Sequence, residues 1–141
     1  MDMNSENAIV QDGKRVAAEW IRKLNEGEVF VFGSNRSGSH GGGAAYIAFK
    51  QFGAVWGEGE GLFGQSYALP TMEGPEAMAE AVGRFIDFAR QHREKVFLVT
   101  AVGCGIAGYT PAEVAPLFAD AVGLENVFLP ASFWNYLSNE K

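Results

Sequence analysis

The chain has one cysteine in 141 residues and two histidines, His40 and His92. A single thiol excludes a disulfide framework and any cysteine-based zinc cluster. Two histidines fifty-two positions apart leave no histidine-rich metal site, so no metal is expected. Cations are few as well: Lys+Arg 11 against Asp+Glu 17 gives a net charge of −6, which disfavours a nucleic-acid face. No apolar run approaches the ~18 residues of a membrane helix. No signal peptide is visible. The expectation is a soluble, cytoplasmic protein with no membrane partner. Composition is ordinary for a globular chain, 48% hydrophobic and 20% charged, which excludes disorder. The length suits one core. The predicted division is a flexible N-terminal segment, residues 1–12, and a single α/β domain over residues 13–141.

What the chain has in excess is glycine, 18 in all. Ten fall between Gly33 and Gly64, and three more are Gly103, Gly105 and Gly108. Glycine accumulates where φ must be positive or where a backbone must approach something closely. Two clusters therefore suggest two loops around one ligand.

The periodicity predicts alternating elements. Val16, Trp20, Ile21 and Leu24 form an apolar stripe, which predicts a helix over 15–24. The apolar run 29–32 is too short for a helix and reads as a strand buried on both faces. A loop follows over 33–43, then a helix over 44–52 with Gly53 just past its end. Residues 57–64 read as a second glycine-rich connection, and 66–69 as a short strand closed by Pro70. Pro75 opens a helix whose buried stripe is Met78, Val82, Phe85, Ile86 and Ala89. Residues 96–102 are a strand and 103–109 a loop. Thr110-Pro111-Ala112-Glu113 is a capping box that starts another helix, bent near its first turn by Pro116. A last strand covers 127–129, and 133–137 is a short aromatic tail. Strands alternating with helices predict a mostly parallel sheet with helices on both faces.

Each glycine loop follows an apolar strand and precedes a helix. Gly103-Cys104-Gly105-Ile106-Ala107-Gly108 is a formal Gly-x-Gly-x-x-Gly, in which backbone N–H groups can face a phosphate. It is not a Walker loop, because Tyr109 stands where the lysine belongs. It does not suit a dinucleotide fold, which places this loop after the first strand rather than the penultimate one. It is not a Cys-x5-Arg phosphatase loop, since Thr110 takes the arginine's position. In the first loop, Gly33-Ser34-Asn35 is followed by His40 and Gly41-Gly42-Gly43. In open α/β sheets ligands sit beyond the carboxyl ends of strands, where both loops would lie. Glu113 is the only charge from Val96 to Phe118, so an anionic ligand would be held by backbone amides and two helix termini.

The order of these motifs resembles the macro domain, the ADP-ribose-binding family. Phe32-Gly33-Ser34-Asn35 is similar to that family's Asn-Ala-Ala-Asn. Gly41-Gly42-Gly43-Ala44 resembles its loop near the distal ribose, and Gly103–Tyr109 its diphosphate loop. The resemblance spans residues 29–133. Phe32 replaces the family's first asparagine, and its adenine-reading aspartate has no clear match here. The resemblance implies a three-layer α/β/α macro-like domain with a mostly parallel central sheet. It implies binding of ADP-ribose or a related nucleotide diphosphate, with hydrolysis of ADP-ribosyl or O-acyl-ADP-ribose linkages, or else a non-catalytic reader of ADP-ribosylated macromolecules. A small nicotinamide-dependent oxidoreductase is a further alternative that the chain order argues against. No cofactor is expected.

The site residues implied are Gly33, Ser34, Asn35, Gly41, Gly42, Gly43, Gly103, Cys104, Gly105, Ile106, Ala107, Gly108, Tyr109 and Phe133 for the ligand. Asn35 and His40 are the catalytic candidates. Asn35 suits a distal-ribose contact or a turn cap. His40 is expected exposed, as a general base, a phosphate contact or a plain loop residue. Cys104 is either a nucleophile, its pKa lowered by the helix start, or a space-filler. Glu58 and Glu60 suit a paired-acid site or solvated loop charges. Phe133 and Trp134 either stack on a base or close the core.

Overall fold

Asp12 and Gly13 both sit in the left-handed region, at φ 54° and 77°, and turn the chain through a two-residue hairpin. The hairpin joins β1 (Ala8–Gln11) to β2 (Lys14–Ala17), which pair antiparallel. The structure, a computed structural model, describes residues 5–137. The outer ends of the chain, 1–4 and 138–141, lie outside the described residues, including the first part of the segment expected to be flexible. Within the rest of that segment, Ala8–Gln11 forms β1. The helix predicted over 15–24 does not form. Its stripe was not one face: Val16 packs against one side of the sheet, and Ile21 and Leu24 against the other. Trp20 is 77% exposed. Pairing of β2 on both flanks overrides the helical spacing.

The remaining strands are β3 (Glu28–Ser34), β4 (Gly61–Phe63), β5 (Ser66–Pro70), β6 (Val96–Val99) and β7 (Val127–Pro130). They join the hairpin in a seven-stranded mixed sheet of order β1-β2-β7-β6-β3-β5-β4. The inner five strands are parallel neighbours, and the two edge strands are antiparallel. The chain is thus α/β with a mostly parallel sheet. β4 arises inside the stretch read as a connection. β6 stops at Val99, because the chain then turns out of the ladder towards the second glycine loop.

Strand alternation sorts the core. Val29 and Val31 of β3 face α2 (Pro75–Gln91), whose Met78, Val82, Phe85 and Ile86 are buried against them. Phe30 and Phe32 face the other way, onto Ala45 and Ala48 of α1 (Gly43–Gln51). The capping box does form: Thr110 Oγ1 accepts from the Glu113 N–H, and Glu113 accepts from the Thr110 N–H. The helix it starts is a single turn, α3 (Pro111–Val114), which passes into a 3-10 segment over Ala115–Ala121. Pro116 lacks the N–H and crowds the preceding turn, so the helix tightens rather than bends. The last helix among the described residues, α4 (Ala131–Trp134), runs into the start of the stretch read as a tail and buries Phe133 and Trp134.

The start of β3 is tied to the N-terminal segment. The buried Glu28 carboxylate accepts from Ser5 Oγ, Asn7 Nδ2 and the Asn25 N–H. Burial pushes its pKa up, but these hydrogen bonds outweigh burial and hold it below the usual carboxylate range. Among the described residues no helix is long and apolar enough to cross a membrane.

Candidate functional site

Three neighbouring parallel strands, β6, β3 and β5, send their carboxyl ends to one edge of the sheet. A cleft of about 500 Å³ opens there. Its lining begins where each strand ends: Thr100 and Ala101 after β6, Ser34 and Asn35 at β3, Thr71 and Met72 after β5. Thr71 N–H and Oγ1 both donate to the Ser34 carbonyl, and Thr100 Oγ1 donates to the Val31 carbonyl. These threonines finish the sheet ladder past the strand ends and hold the rim in place.

Both glycine loops reach this cleft and touch each other. A Cβ on Gly33 would lie 3.5 Å from the Gly103 nitrogen, so the missing side chain lets the second loop approach. From the first loop Gly33, Ser34, Asn35, Gly41, Gly42 and Gly43 line the cleft, and from the second Gly103, Gly105, Ile106 and Ala107. No residue of the lining is charged, and none carries a side-chain acid or base.

The second loop is shaped by its own backbone. Cys104 N–H donates to the Ala101 carbonyl, Gly108 N–H to Gly105, and Tyr109 N–H to Gly103. Gly103 and Gly108 hold positive φ, 78° and 87°, to close these turns. The N–H groups of Gly103, Gly105, Ile106 and Ala107 make no hydrogen bond within the described residues, and those are the loop residues that line the cleft. The start of α1 is similar. Its N-cap is Gly42, which supplies no side-chain cap, and the N–H groups of Gly43, Ala44 and Ala45, residues that line the same cleft, make no hydrogen bond within the described residues. Unbonded amides beside a helix start are groups of the kind that can hold an anion. The second helix adds nothing, because Glu113 already caps α3.

Several expected site residues lie elsewhere. Cys104 is half-buried against the core and does not line the cleft. Burial pushes its thiol up, and the Glu113 carboxylate adds to that, so the lowering expected from the helix start is reversed. Gly108 and Tyr109 do not line the cleft: Gly108 is exposed, and Tyr109 packs against the core. Phe133 is 0% exposed and its ring lies 5.5 Å from that of Phe118, which closes the core rather than meeting a base. His40 was expected exposed and is 0% exposed. Phe32 and Trp56 meet its ring at steep angles, and its Nε2 lies 2.9 Å from the Val55 carbonyl. A partner distant in sequence covers it, which no local pattern announces.

Asn35 lines the cleft, but its side chain mostly serves its own loop. Oδ1 accepts from Ser37 Oγ and the Ser39 N–H, and Nδ2 donates to the Ser39 carbonyl. One Nδ2 hydrogen remains for a ligand. Glu58 and Glu60 are not a paired-acid site: neither lines the cleft, and Glu60 forms a two-pronged ion pair with Arg84 of α2. The glycine between them serves loop packing, since a Cβ on Gly59 would collide with the Asn35 carbonyl. Among the described residues no three of His, Cys, Asp and Glu are grouped to hold a metal ion. Thr71 and Met72 were missed by sequence reasoning, although their place after a parallel strand was the available signal.

Fold and site together define an α/β chain with an uncharged, amide-lined cleft at the carboxyl edge of its sheet. No protein-family model, curated protein or solved structure matches the chain.

Proposed function

We propose that the cleft binds ADP-ribose or a related nucleotide diphosphate, in a three-layer macro-like fold. The observation that carries this reading is the pair of unbonded amide sets, Gly43–Ala45 and Gly103 with Gly105–Ala107, on one uncharged cleft. Amides and a helix start hold a phosphate without a lysine. Two such sets, reached from neighbouring strands, suit two linked phosphates. The free Nδ2 hydrogen of Asn35 suits a ribose hydroxyl beside them. Bond cleavage at the distal ribose would belong to the same site. Binding without turnover, as a reader of ADP-ribosylated partners, is the second reading, favoured by the absence of any acid or base in the lining.

Calorimetry with ADP-ribose, ADP, AMP and NAD side by side tests the proposal. ADP-ribose binds tightest. At 100 times its Kd it stabilises the fold by about 2.7 kcal/mol in a melting curve. No heat and no melting shift with any of the four overturns it.

A further inference from the structure

The connection after α1 carries an indole that the fold fixes in place and leaves half in water. Trp56 is 53% exposed, although tryptophan is on average a well-buried residue. Its ring centroid lies 5.4 Å from that of Phe49 and 6.0 Å from that of His40, at interplanar angles of 68° and 72°. His40 is wholly buried beneath it. The histidine Nε2 lies 2.9 Å from the Val55 carbonyl, which only accepts, so Nε2 donates. Its Nδ1 lies 3.4 Å from Ser34 Oγ. The backbone beside the indole is pinned as well: Gly57 N–H donates to the Gly38 carbonyl, and Gly38 packs directly on Gly57 and Glu58. The place where all this holds the indole is the mouth of the cleft. A Cβ on Gly41, which lines the cleft, would stand 3.8 Å from Trp56 Cη2. Gly41 precedes the Gly42 N-cap, and the Gly43, Ala44 and Ala45 amides follow. Tyr46, the next residue of α1, is also exposed, but Lys50 Nζ stands over its ring at 6.0 Å from the centroid. Trp56 therefore offers the open aromatic surface at this end of the cleft.

We propose that Trp56 is a stacking platform for a planar heterocyclic ring of the bound nucleotide, and so a specificity-determining residue of the cleft. The proposal rests on the nucleotide reading above. A phosphate held at the start of α1 carries its sugar and ring away from the amides, and Trp56 borders that start through Gly41. Backbone amides fix phosphates without telling one phosphate ester from another. An aromatic face does tell them apart, because it rewards only the ligand that brings a ring. A rigid indole adds this contact at little cost in side-chain entropy, since Phe49, His40 and Gly38 have already ordered it. Glycine at position 41 suits the same role: a longer side chain there would cover the outer edge of the indole. Two sources supply such a ring, the adenine or a heterocycle carried on the second ribose, and their stacking chemistry is shared.

Calorimetry with ADP-ribose, NAD and inorganic pyrophosphate reads the ring apart from the phosphates. Trp56→Leu keeps an apolar cover over His40 and removes the stacking face. It lowers ADP-ribose affinity about 10-fold and leaves pyrophosphate affinity unchanged, while Trp56→Phe keeps most of the affinity. ADP-ribose quenches indole fluorescence in the wild type and in Trp20→Phe, but not in Trp56→Phe. That pattern assigns the stacked ring to adenine. A loss in Trp56→Leu seen with NAD and not with ADP-ribose supports the platform and assigns the ring to the second ribose. Circular dichroism and ligand-free melting curves check that the variants fold. A folded Trp56→Leu that binds ADP-ribose and NAD as the wild type does overturns the proposal. So does an equal loss for pyrophosphate, which would make Trp56 a support for the amides. Quenching that disappears in Trp20→Phe instead overturns it too. Each of those three results leaves the nucleotide reading standing. A wild type that binds none of the three probes removes that reading and the platform with it.

Discussion

The two glycine loops are alike as strings of residues and unlike in what they do with their helices. The first leads into the nine-residue α1 through a glycine N-cap that leaves the helix amides open. The second leads into a four-residue turn that closes its own terminus with Thr110 and Glu113. A glutamate at the third helical position both occupies the capping amide and offsets the terminal potential. A strand–glycine–helix pattern therefore does not by itself supply a helix dipole to a ligand. The second loop contributes through its own peptide N–H groups, left over between its turn bonds. The glycines differ too. Gly38 in the first loop is wedged against the backbone of Gly57 and Glu58, whereas a Cβ on Gly105 meets open space.

The largest effect separates those two glycines. Gly38→Ala places a Cβ inside contact distance of backbone that cannot move aside, at a φ of +72°. It costs about 3 kcal/mol or more in denaturant unfolding. An unchanged midpoint would break the account of backbone-on-backbone packing.

Gly105→Val should do the opposite. It lowers ADP-ribose affinity at least ~100-fold, about 2.7 kcal/mol, by filling space before the unbonded amides. Stability changes by no more than ~0.5 kcal/mol, as at an exposed site. Calorimetry beside a melting curve reads both, and unchanged affinity would make the loop only a turn.

The helix starts separate next. Thr110→Ala removes a cap and costs about 1 kcal/mol of stability, with affinity unchanged. Gly42→Asp adds a cap to α1, where a side chain has room, and gains roughly 0.5 kcal/mol while weakening anion binding. Equal losses of affinity from the two would erase the asymmetry between the loops.

The smallest effect sharpens the second loop alone. Burial and then the Glu113 charge hold the Cys104 thiol up, so iodoacetamide alkylates it slowly at neutral pH. Glu113→Gln keeps a capping side chain and removes the charge. The thiol then loses its proton at lower pH, and the alkylation profile moves in that direction. A profile moving to higher pH would show that α3 is not closed as described.

Much of this arrangement could be read from local pattern. The apolar runs of β3, β6 and β7 and the stripe of α2 appear where periodicity places them. Proline at the start of α2 and the box at Thr110 mark their helix starts correctly. The error at 15–24 has a specific cause. Val16 and Ile21 satisfy helical spacing while packing on opposite faces of a sheet, and Asp12-Gly13 carried the hairpin signal that would have decided between them. Within the site, Gly33, Gly105 and their neighbours were legible as loop glycines. For Phe133 the sequence left core and ligand contact open, because the partner that decides it, Phe118, is fifteen residues away along a segment whose helix type changes at Pro116.

The sequence by itself determined that this is an α/β chain, that two glycine loops follow apolar strands, and that no lysine stands ready for a phosphate. These are matters of composition, periodicity and short spacing. Only the tertiary structure decided which amides stay unbonded, that His40 is sealed beneath Trp56 with Ser34 at its open nitrogen, and that Thr71 and Met72 join the rim. Each of those depends on contacts between segments far apart in the chain: His40 with Val55, Gly38 with Glu58, Thr71 with Ser34. A hydrogen-bonding group is free or spent according to what the fold brings within about 3 Å of it, and spacing along a chain does not carry that information.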